Sequence, residues 1–544
     1  MTVPKNAPKA IDLSHHLSSL SKSRHLSPLK DIFKYMKHQG MISLAGGLPH
    51  PSLFPFTEAS IKAYPPDAQL SVDGPLPINP VSLSISKFAS KSATADLETC
   101  LQYSGLPSVG VLRARRLGLT SRTAEGLQPL HDFAYRFTSE VLRPAYGDYH
   151  ILMNNGNTDA WTKVVRLLCE NDDTVLVEAA TFPSAQAMWV PMGIKAAPVE
   201  MDVYGLRSDD LERVLSAWGD EHAGQKKPRL LYIVPVGSNP TGSTMPALRR
   251  QEIYNVCVQH DVIICEDDPY YCLQYPTYLL GDQPASAKAS TPEEYKNSLA
   301  PSFLQFDYQG RVIRLDTFSK TLAPGNRLGY FIANPLFTER LIRATEVESQ
   351  SPSGWSQGIV SELLQAWGIS GYLTWLSNLR DQYEMRRNWM CDAVASSFVA
   401  RPPSFSSLPI ASTSICLYPA DSSPSPDTLP LFSFVPPTGG MFLWCRFYLA
   451  GAPRFRELET QEDVADPEET FMKELWEELA ENLILLTPGS YYTPWQGADK
   501  QTTKARGAET EIGYFRLAFS LADKEGMEEG IRRIEQVLKR VWGY

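Results

Sequence analysis

One stretch, residues 311–330, concentrates the side chains with the clearest chemical potential in this 544-residue chain. It begins as an apolar strand and continues into polar groups and a turn: Thr317, Ser319, Lys320, Pro324, Gly325 and Arg327. This set suits a phosphorylated aldehyde, because hydroxyls and a guanidinium hold phosphate and an amine condenses with a carbonyl. A lysine by itself is usually a solvated surface residue, so the surroundings of Lys320 carry this prediction.

A second apolar strand, residues 262–265, ends in three acids and two tyrosines: Glu266, Asp267, Asp268, Tyr270 and Tyr271. Catalytic groups of open α/β sheets gather at such strand ends. A solvated acidic turn explains the same residues equally well. The spacing from Asp267 to Tyr270 equals that from Asp268 to Tyr271, so the residues alone leave open which acid acts.

Three further segments carry polar groups at or near apolar strands. A strand from residue 150 meets a glycine turn and a helix that begins near Asn157 and Thr158, and a helix N-terminus binds phosphate readily. Asn239 lies in an Asn-Pro-Thr-Gly turn after a buried strand, and Arg516 lies within a strand near the end of the chain. We predict an α/β fold: a mainly parallel central sheet with flanking helices, and a smaller α+β domain.

The order of these segments resembles that of fold type I, pyridoxal-phosphate-dependent aminotransferases of class I/II. More specifically, the chain resembles the group of fungal aromatic amino acid, 2-aminoadipate and kynurenine aminotransferases. The resemblance implies pyridoxal 5′-phosphate as cofactor and a catalytic role for Lys320. It also implies that Asp267 pairs with the protonated ring nitrogen, and that Tyr270 and Asn239 hydrogen-bond the phenolic oxygen. The alignment from Asn239 favours Asp267 over Asp268.

The remaining site residues are also carried over from this resemblance. Cofactor contacts are implied for Asn157, Thr158, Phe182, Thr317, Ser319, Arg327 and Tyr103. The family commonly has Ser-Gln where this chain has Asn157-Thr158, and Tyr where it has Phe182, so stacking on the ring is kept and a hydroxyl is lost. Tyr103 implies a homodimer, because its counterpart reaches the neighbouring subunit's cofactor. Substrate contacts are implied for Arg516, Gly47 and Asn239.

Length and composition set the organisation and the partners that we expect. A chain with 43% hydrophobic residues can bury a large core. We predict an N-terminal arm that contributes to the small domain and the substrate site (residues 1–60), a large cofactor-binding domain (61–375) and a C-terminal small domain (376–544). The formal charge of −10 argues against nucleic-acid or anionic-membrane partners, and no apolar run reaches transmembrane length.

The eight cysteines are scattered without metal-ligand spacing, which favours buried thiols in a cytoplasmic protein and no metal site. The stretches 281–302 and 400–437, rich in small and polar residues, are interpreted as surface insertions. Gly354-x-Ser356-x-Gly358 matches a hydrolase nucleophile elbow, but the preceding residues are polar and the last histidine is His260. The hydrolase interpretation therefore fails.

The expected activity is transfer of an amino group from an aromatic L-amino acid (Phe, Tyr or Trp) to 2-oxoglutarate by ping-pong kinetics. Alternative donors are 2-aminoadipate and kynurenine, and Lys30 lies near where a relative's arginine meets a distal carboxylate. A carbon–sulfur lyase on the same fold keeps the same site residues, so the sequence barely excludes it. A transcriptional regulator requires a basic DNA-binding head before Ile42, which this sequence does not have.

Overall fold

Two large β-sheets organise the chain in a computed structural model. The structure describes residues 7–25, 53–71, 79–86, 100–101, 126–281, 291–406, 410–420, 422–497 and 501–544. Its strands are β1 (Glu58–Ala63), β2 (Val81–Ser86), β3 (His150–Asn154), β4 (Thr174–Glu178), β5 (Lys195–Val199), β6 (Met201–Asp202), β7 (Gly205–Leu206), β8 (Leu230–Ile233), β9 (Ile263–Asp267), β10 (Val312–Thr317), β11 (Gly329–Ala333), β12 (Val399–Arg401), β13 (Ile415–Tyr418), β14 (Phe432–Phe434), β15 (Phe442–Tyr448), β16 (Thr487–Pro488) and β17 (Ile512–Ala518).

The helices connect these strands and cover both faces of the first large sheet. They are α1 (Ser19–Ser23), α2 (Gln128–Phe137), α3 (Asn157–Leu168), α4 (Pro183–Trp189), α5 (Ser208–Glu221), α6 (Ala247–Gln259), α7 (Pro292–Ser298), α8 (Pro335–Glu348), α9 (Gly354–Ser397), α10 (Pro453–Glu459), α11 (Pro467–Glu481) and α12 (Lys524–Trp542). The long α9 is broken at Gly368, whose φ of 65° is outside the helical region. No described helix is both long and apolar enough to cross a membrane.

The first large sheet has seven strands in the order β3-β11-β10-β9-β8-β4-β5. All neighbouring pairs from β10 to β5 are parallel, and β11 alone runs against its neighbours. Its central strands are buried along their whole length, as expected for a parallel sheet covered on both faces. Parallel strands place their carboxyl ends at one edge, so the ends of β4, β8, β9 and β10 share that edge.

The second large sheet has six strands in the antiparallel order β12-β13-β14-β15-β17-β16. Trp444 of β15 pairs with Arg516 of β17 in the register, so this sheet fixes the position of Arg516 along its strand. The α/β prediction with a mostly parallel central sheet is confirmed. The proposed break between the large and small domains at residue 375 falls inside α9, and the domain division stays a prediction.

The prediction that residues 281–302 form a surface loop is wrong for the described residues 291–302. They contain α7, whose Thr291 side chain caps the helix N-terminus. Tyr295 is fully buried and donates a hydrogen bond to the Cys272 carbonyl at 2.7 Å, and Ser302 is also buried. One apolar ring at a helical position suffices to anchor a segment whose overall composition is polar.

The interpretation of residues 400–437 as a surface insertion is also wrong in part. Two of its segments form β13 and β14, which are buried throughout and lie inside the second large sheet. These strands are only four and three residues long. The composition of the whole segment is dominated by the surrounding serines and prolines, so it gave no sign of them. Residues 407–409 and 421 lie outside the described residues.

The described part of the N-terminal arm, residues 7–25, packs against the first large sheet and its helices. Leu13 and Leu17 are buried in the core cluster that contains α3, and Ser18 donates a hydrogen bond to the Arg166 carbonyl at 2.6 Å. His15 and His16 each contact the Asp261 carboxylate, at 2.7 and 3.0 Å. Gly47, Tyr103 and Lys30 lie outside the described residues.

Candidate active site

Lys320 lies just after β10, at the shared carboxyl edge of the parallel strands. Its side chain is half-buried and forms no ion pair with another described residue. Burial lowers the pKa of the amine, because leaving water disfavours the charged form. A larger fraction of the amine is therefore uncharged and nucleophilic than in an exposed lysine.

The hydroxyls beside Lys320 form a compact loop with Arg327. Thr317 donates a hydrogen bond to the Ser319 hydroxyl at 2.9 Å, and the Ser319 amide donates to the Thr317 hydroxyl at 3.1 Å. Arg327 Nη1 lies 3.4 Å from the Ser319 hydroxyl, and Nη2 donates to the Asn155 carbonyl at 3.0 Å. This loop is thus tied to the turn before α3, and hydrogen bonds join its two hydroxyls and its guanidinium into one group.

The turn before α3 brings backbone close to Arg327. Gly156 precedes the helix with φ 95°, and a Cβ there would lie 2.8 Å from Arg327 Nη2. No side chain caps this helix, so its N-terminal amides remain available to an anion. Thr158 is exposed in the first turn, whereas Asn157 is half-buried and turns toward the sheet.

Asp267, at the end of β9, accepts one hydrogen bond on each carboxylate oxygen. Asn157 Nδ2 donates to Oδ1 at 2.6 Å, and the Tyr232 phenol donates to Oδ2 at 2.7 Å. Burial raises the pKa of Asp267, while these two hydrogen bonds act in the opposite direction. A cationic group beside this carboxylate would stabilise its ionised form and lower its pKa.

Asp268 points to the opposite face of the sheet, because successive strand side chains alternate. Its Oδ2 accepts from Arg314 Nη1 at 3.0 Å, and only 1% of the residue is exposed. The two acids that the spacing could not distinguish therefore have different surroundings. Asp267 faces the N-terminus of α3, and Asp268 faces a buried arginine.

Arg516 and Asn239 meet across the two large sheets. Arg516 Nη1 donates to Asn239 Oδ1 at 2.7 Å, and Nη2 donates to the Thr487 hydroxyl at 3.3 Å. Because arginine only donates, Asn239 presents its oxygen to Arg516 and keeps its Nδ2 donor for another partner. The guanidinium carbon lies 4.2 Å from the Phe442 ring centre and 5.3 Å from that of Tyr492.

Tyr270 lies behind this pair and is almost completely buried. Its ring meets Phe442 edge-on at 5.8 Å. Burial, and then the charge of Asp267, raise the pKa of Tyr270, so the phenol remains protonated and can donate. Phe182 immediately precedes α4, at the carboxyl edge of the sheet, and is half-buried against the core.

Sequence reasoning missed several residues that touch the predicted ones: Tyr232, Phe442, Thr487, Tyr492 and Arg314. The only sequence signal for Tyr232 is one polar-tipped ring within a buried strand, which usually needs a hydrogen-bond partner. Thr487 and Tyr492 lie on either side of a turn whose own sequence does not point to Arg516. Their partners are far away in the chain, so local patterns do not reveal the contacts.

We expect Arg516→Lys to raise the KM of both the amino acid and the oxo acid by about 10–100-fold, with a smaller effect on kcat. A charged hydrogen bond contributes about 1.5–3 kcal/mol, and lysine cannot reproduce the two-pronged geometry. Steady-state kinetics with both substrates varied measures this, with the half-exposed Arg532→Lys as control. An unchanged KM for both substrates contradicts the carboxylate role.

Glu178, at the end of β4, is buried beside the loop that carries Asn239. Its Oε2 accepts from the Val234 amide and the Ser238 hydroxyl, both at 3.3 Å, and burial raises its pKa to about 8. Between its ordinary pKa of 4.5 and about 8, the unfolded chain loses this proton while the folded chain keeps it. The free energy of unfolding therefore falls as pH rises through that window.

We expect Glu178→Gln to remove this dependence, since Gln does not titrate. The stability of wild type relative to Glu178→Gln should fall by up to about 1.4 kcal/mol per pH unit between pH 5.5 and 7.5. Urea unfolding at several pH values measures the difference, with the exposed Glu200→Gln as control. Parallel pH curves for wild type and Glu178→Gln would show that Glu178 ionises normally.

A mainly parallel α/β sheet with a lysine, an acid and an uncapped helix N-terminus at its carboxyl edge is the arrangement expected of a lysine-dependent, phosphate-binding enzyme. The sequence pattern of aminotransferase class I and II matches residues 134–534, and the chain belongs to this family. The chain is 34% identical over 535 residues to an aromatic amino acid aminotransferase of Schizosaccharomyces pombe, covering 97% of this chain and 98% of that one.

Two further comparisons agree with the family. An L-tyrosine:2-oxoglutarate aminotransferase of Serpula lacrymans is 32% identical, covering 89% of this chain and 84% of the relative. The crystal structure of aminotransferase Aro8 from Candida albicans superposes with a TM-score of 0.81 at 31% identity, covering 99% of this chain and all of that one.

Pyridoxal 5′-phosphate is the cofactor of this family, and the residues present fit it. The close approach of Gly156 to Arg327 leaves an anion cradle that a side chain would fill. The half-buried Lys320 amine and the doubly hydrogen-bonded Asp267 supply the groups that a phosphorylated pyridine aldehyde requires.

Proposed function

We propose that this aminotransferase transfers the amino group of an aromatic L-amino acid to 2-oxoglutarate by a ping-pong mechanism. The observation that carries this proposal is the Arg516–Asn239 contact of 2.7 Å. It joins a carboxylate-binding guanidinium on one sheet to the edge of the other sheet, where Lys320 and Asp267 lie. The site therefore places a group for the substrate carboxylate beside the groups for the cofactor.

Each residue has a defined task in this proposal. Thr317, Ser319, Arg327 and the N-terminus of α3 hold the phosphate, with Asn157 and Thr158 in the first helical turn. Asp267 holds a proton on the ring nitrogen, and Tyr270 and Asn239 donate to the phenolic oxygen. Phe182 covers one face of the ring.

When bound, pyridoxal 5′-phosphate supplies the electron-withdrawing ring that lets the substrate Cα proton leave. Arg516 holds the α-carboxylate and so orients the Cα–H bond. The Lys320 amine takes the Cα proton, and burial lowers its pKa, so that more of the amine is uncharged and able to act as a base than in an exposed lysine. Burial of Tyr270 and Asp267 excludes water from the ring side of the site.

The aromatic donor is supported by the relatives and by the surroundings of Arg516. Both curated relatives described above carry an aromatic amino acid in their names, and one of those names includes 2-oxoglutarate. Around the guanidinium, Phe442 and Tyr492 present ring faces, and Trp444 meets Tyr492 edge-on at 5.5 Å. Rings at this distance from the carboxylate clamp favour an aromatic side chain.

We expect kcat/KM for Phe, Tyr or Trp to exceed that for 2-aminoadipate when 2-oxoglutarate is the acceptor. The experiment compares Phe, Tyr, Trp, kynurenine and 2-aminoadipate as donors and measures glutamate and the oxo acid produced. A large advantage of 2-aminoadipate or kynurenine over every aromatic amino acid assigns the chain to those alternatives. A parallel assay with a cysteine S-conjugate tests the lyase alternative, because cleavage of its carbon–sulfur bond gives a thiol, ammonia and pyruvate. Those products in place of glutamate assign the chain to a carbon–sulfur lyase.

The assembly and location form part of the same proposal. We expect a homodimer, because the family resemblance gives Tyr103 a contact with the cofactor of the neighbouring subunit. The substrate contact of Gly47 rests on the same resemblance. Light scattering coupled to size exclusion distinguishes a mass of twice 60.7 kDa from a monomer. A cytoplasmic location is supported by the eight free cysteines, all of which are buried.

A further inference from the structure

The face of the first large sheet opposite Asp267 carries a buried cluster of charges. At the end of β9, Glu266 points to one face of the sheet and Asp267 to the other. Asp268, directly after the strand, points to the same face as Glu266. On the neighbouring β10, Arg314 and Asp316 point to the same side as Glu266 and Asp268. The backbone register pairs Arg314 with Glu266 and Leu315 with Asp267, so the cluster lies directly behind Asp267 in the sheet.

Arg314 is the centre of this cluster. Its Nη1 lies 3.0 Å from both Glu266 and Asp268, and its Nε donates to Asp316 at 2.9 Å. The side chain is fully buried, and its guanidinium carbon lies 4.6 Å from the centre of the Tyr271 ring. Arg250, 3.5 Å from Glu266, supplies the only other cation paired with these acids among the described residues.

The cluster therefore contains three carboxyl groups and two guanidinium groups, and it is buried in a region of low dielectric constant. Charges in such a region interact over longer distances than in water. Burial raises the pKa of Asp267, and the charge of Asp316 adds to this upward shift. The charge of Arg314 opposes it, together with the hydrogen bonds from Tyr232 and Asn157. The other titratable or polar groups that face Asp267 are Tyr232 on β8, Asn157 on α3, Cys265 on β9 and Tyr270 in the following turn.

We propose that Arg314 is a positioning residue that keeps Asp267 ionised from behind the sheet. This inference rests on the proposed function, in which Asp267 holds the proton of the ring nitrogen. Without Arg314, Asp267 faces the charge of Asp316 uncompensated and takes up a proton at higher pH. A neutral Asp267 no longer attracts the protonated ring, so the cofactor binds less tightly.

The test compares pyridoxal 5′-phosphate affinity with pH in the apoproteins of wild type, Arg314→Lys, the double variant Arg314→Gln/Asp268→Asn and Asp316→Asn. The double variant removes one charge of each sign, since Arg314→Gln alone leaves buried acids unpaired and is expected to unfold. Fluorescence quenching gives the dissociation constant from pH 5.5 to 8.5, and thermal unfolding checks each fold. Ratios to wild type at each pH cancel the titration of the cofactor itself.

We expect the double variant to bind the cofactor more weakly than wild type, by up to about tenfold for each unit by which the pKa of Asp267 rises. The ratio of the two dissociation constants should be largest at pH 5.5 and fall to within about twofold at pH 8.5. Asp316→Asn should bind the cofactor more tightly than wild type at low pH, because it removes the negative charge that raises the pKa of Asp267. Arg314→Lys keeps the positive charge and should show the pH dependence of wild type. A loss of affinity that is equal at all pH values, or a curve for Asp316→Asn that parallels wild type, overturns the inference. If the double variant does not fold, the Asp316→Asn variant tests the inference, through the direction in which its dissociation constant changes with pH relative to wild type.

An Asp267→Asn apoprotein separates this inference from the proposed function. If it binds the cofactor as tightly as wild type at every pH, the role of Asp267 is wrong, and the proposed function loses that residue. If it binds weakly while the cluster variants parallel wild type, only the inference about Arg314 fails.

Discussion

Replacing Lys320 by Ala is expected to lower kcat by about 10²–10⁴-fold, because the base that moves the Cα proton is lost. The wild type should become yellow when supplied with pyridoxal 5′-phosphate and keep the colour through gel filtration, since Lys320 joins the cofactor covalently. The Ala variant should release the cofactor during the same procedure. Absorption spectra and glutamate formation measure the two effects independently.

The matched control for this experiment is Lys473→Ala, whose side chain is 72% exposed and lies far from the sheet edge on α11. It should retain both colour and rate. The proposed site is contradicted if Lys320→Ala turns over amino acids at the wild-type rate, or if wild type stays colourless with the cofactor present. Both variants should unfold at temperatures close to wild type, because neither lysine forms a buried ion pair.

Replacing Asp267 by Asn is expected to reduce kcat by about 10–10³-fold, with Asp268→Asn remaining within about tenfold of wild type. An ionised carboxylate shifts the pKa of an adjacent cation by about 1–3 units, which corresponds to that range of rates. Asn keeps the size of the side chain but not the charge, and its single oxygen replaces only one of the two oxygens that accept from Asn157 and Tyr232. The effect therefore combines the loss of the charge with the rearrangement of one hydrogen bond.

Asp268→Asn is the appropriate comparison because it removes the neighbouring acid on the opposite face. Its expected effect is on stability, since its carboxylate pairs with the buried Arg314. Rates at saturating substrate and cofactor, together with thermal unfolding, separate the two kinds of loss. If Asp268→Asn loses more activity than Asp267→Asn at equal stability, the assignment of the two acids must be reversed.

The sequence was informative wherever function and local structure coincide. Lys320, Thr317, Ser319 and Arg327 lie within eleven residues, and a strand followed by a turn brings them together without help from distant parts of the chain. The sequence pattern likewise predicts two helical stretches, residues 357–367 and 372–397, and both lie in α9 on either side of the break at Gly368. In each case the signal is short-range periodicity or turn chemistry.

The sequence was misleading where composition hid a few buried residues. Tyr295 anchors α7 within a segment rich in polar and small residues, and β13 and β14 lie between serines and prolines. Burial of one ring or a three-residue strand depends on which surface the rest of the chain offers. That surface is a property of the tertiary structure.

The residue types and their spacing thus determined the α/β class and the choice of side chains that we propose for a phosphorylated aldehyde, because both depend on neighbours in the chain. The spacing alone left Asp267 and Asp268 equivalent, and only the tertiary structure shows their different surroundings, since strand alternation turns one toward α3 and the other toward Arg314. It alone brought Arg516 to Asn239, 277 positions away. Contacts across such separations follow from the packing of two sheets, which no local pattern encodes.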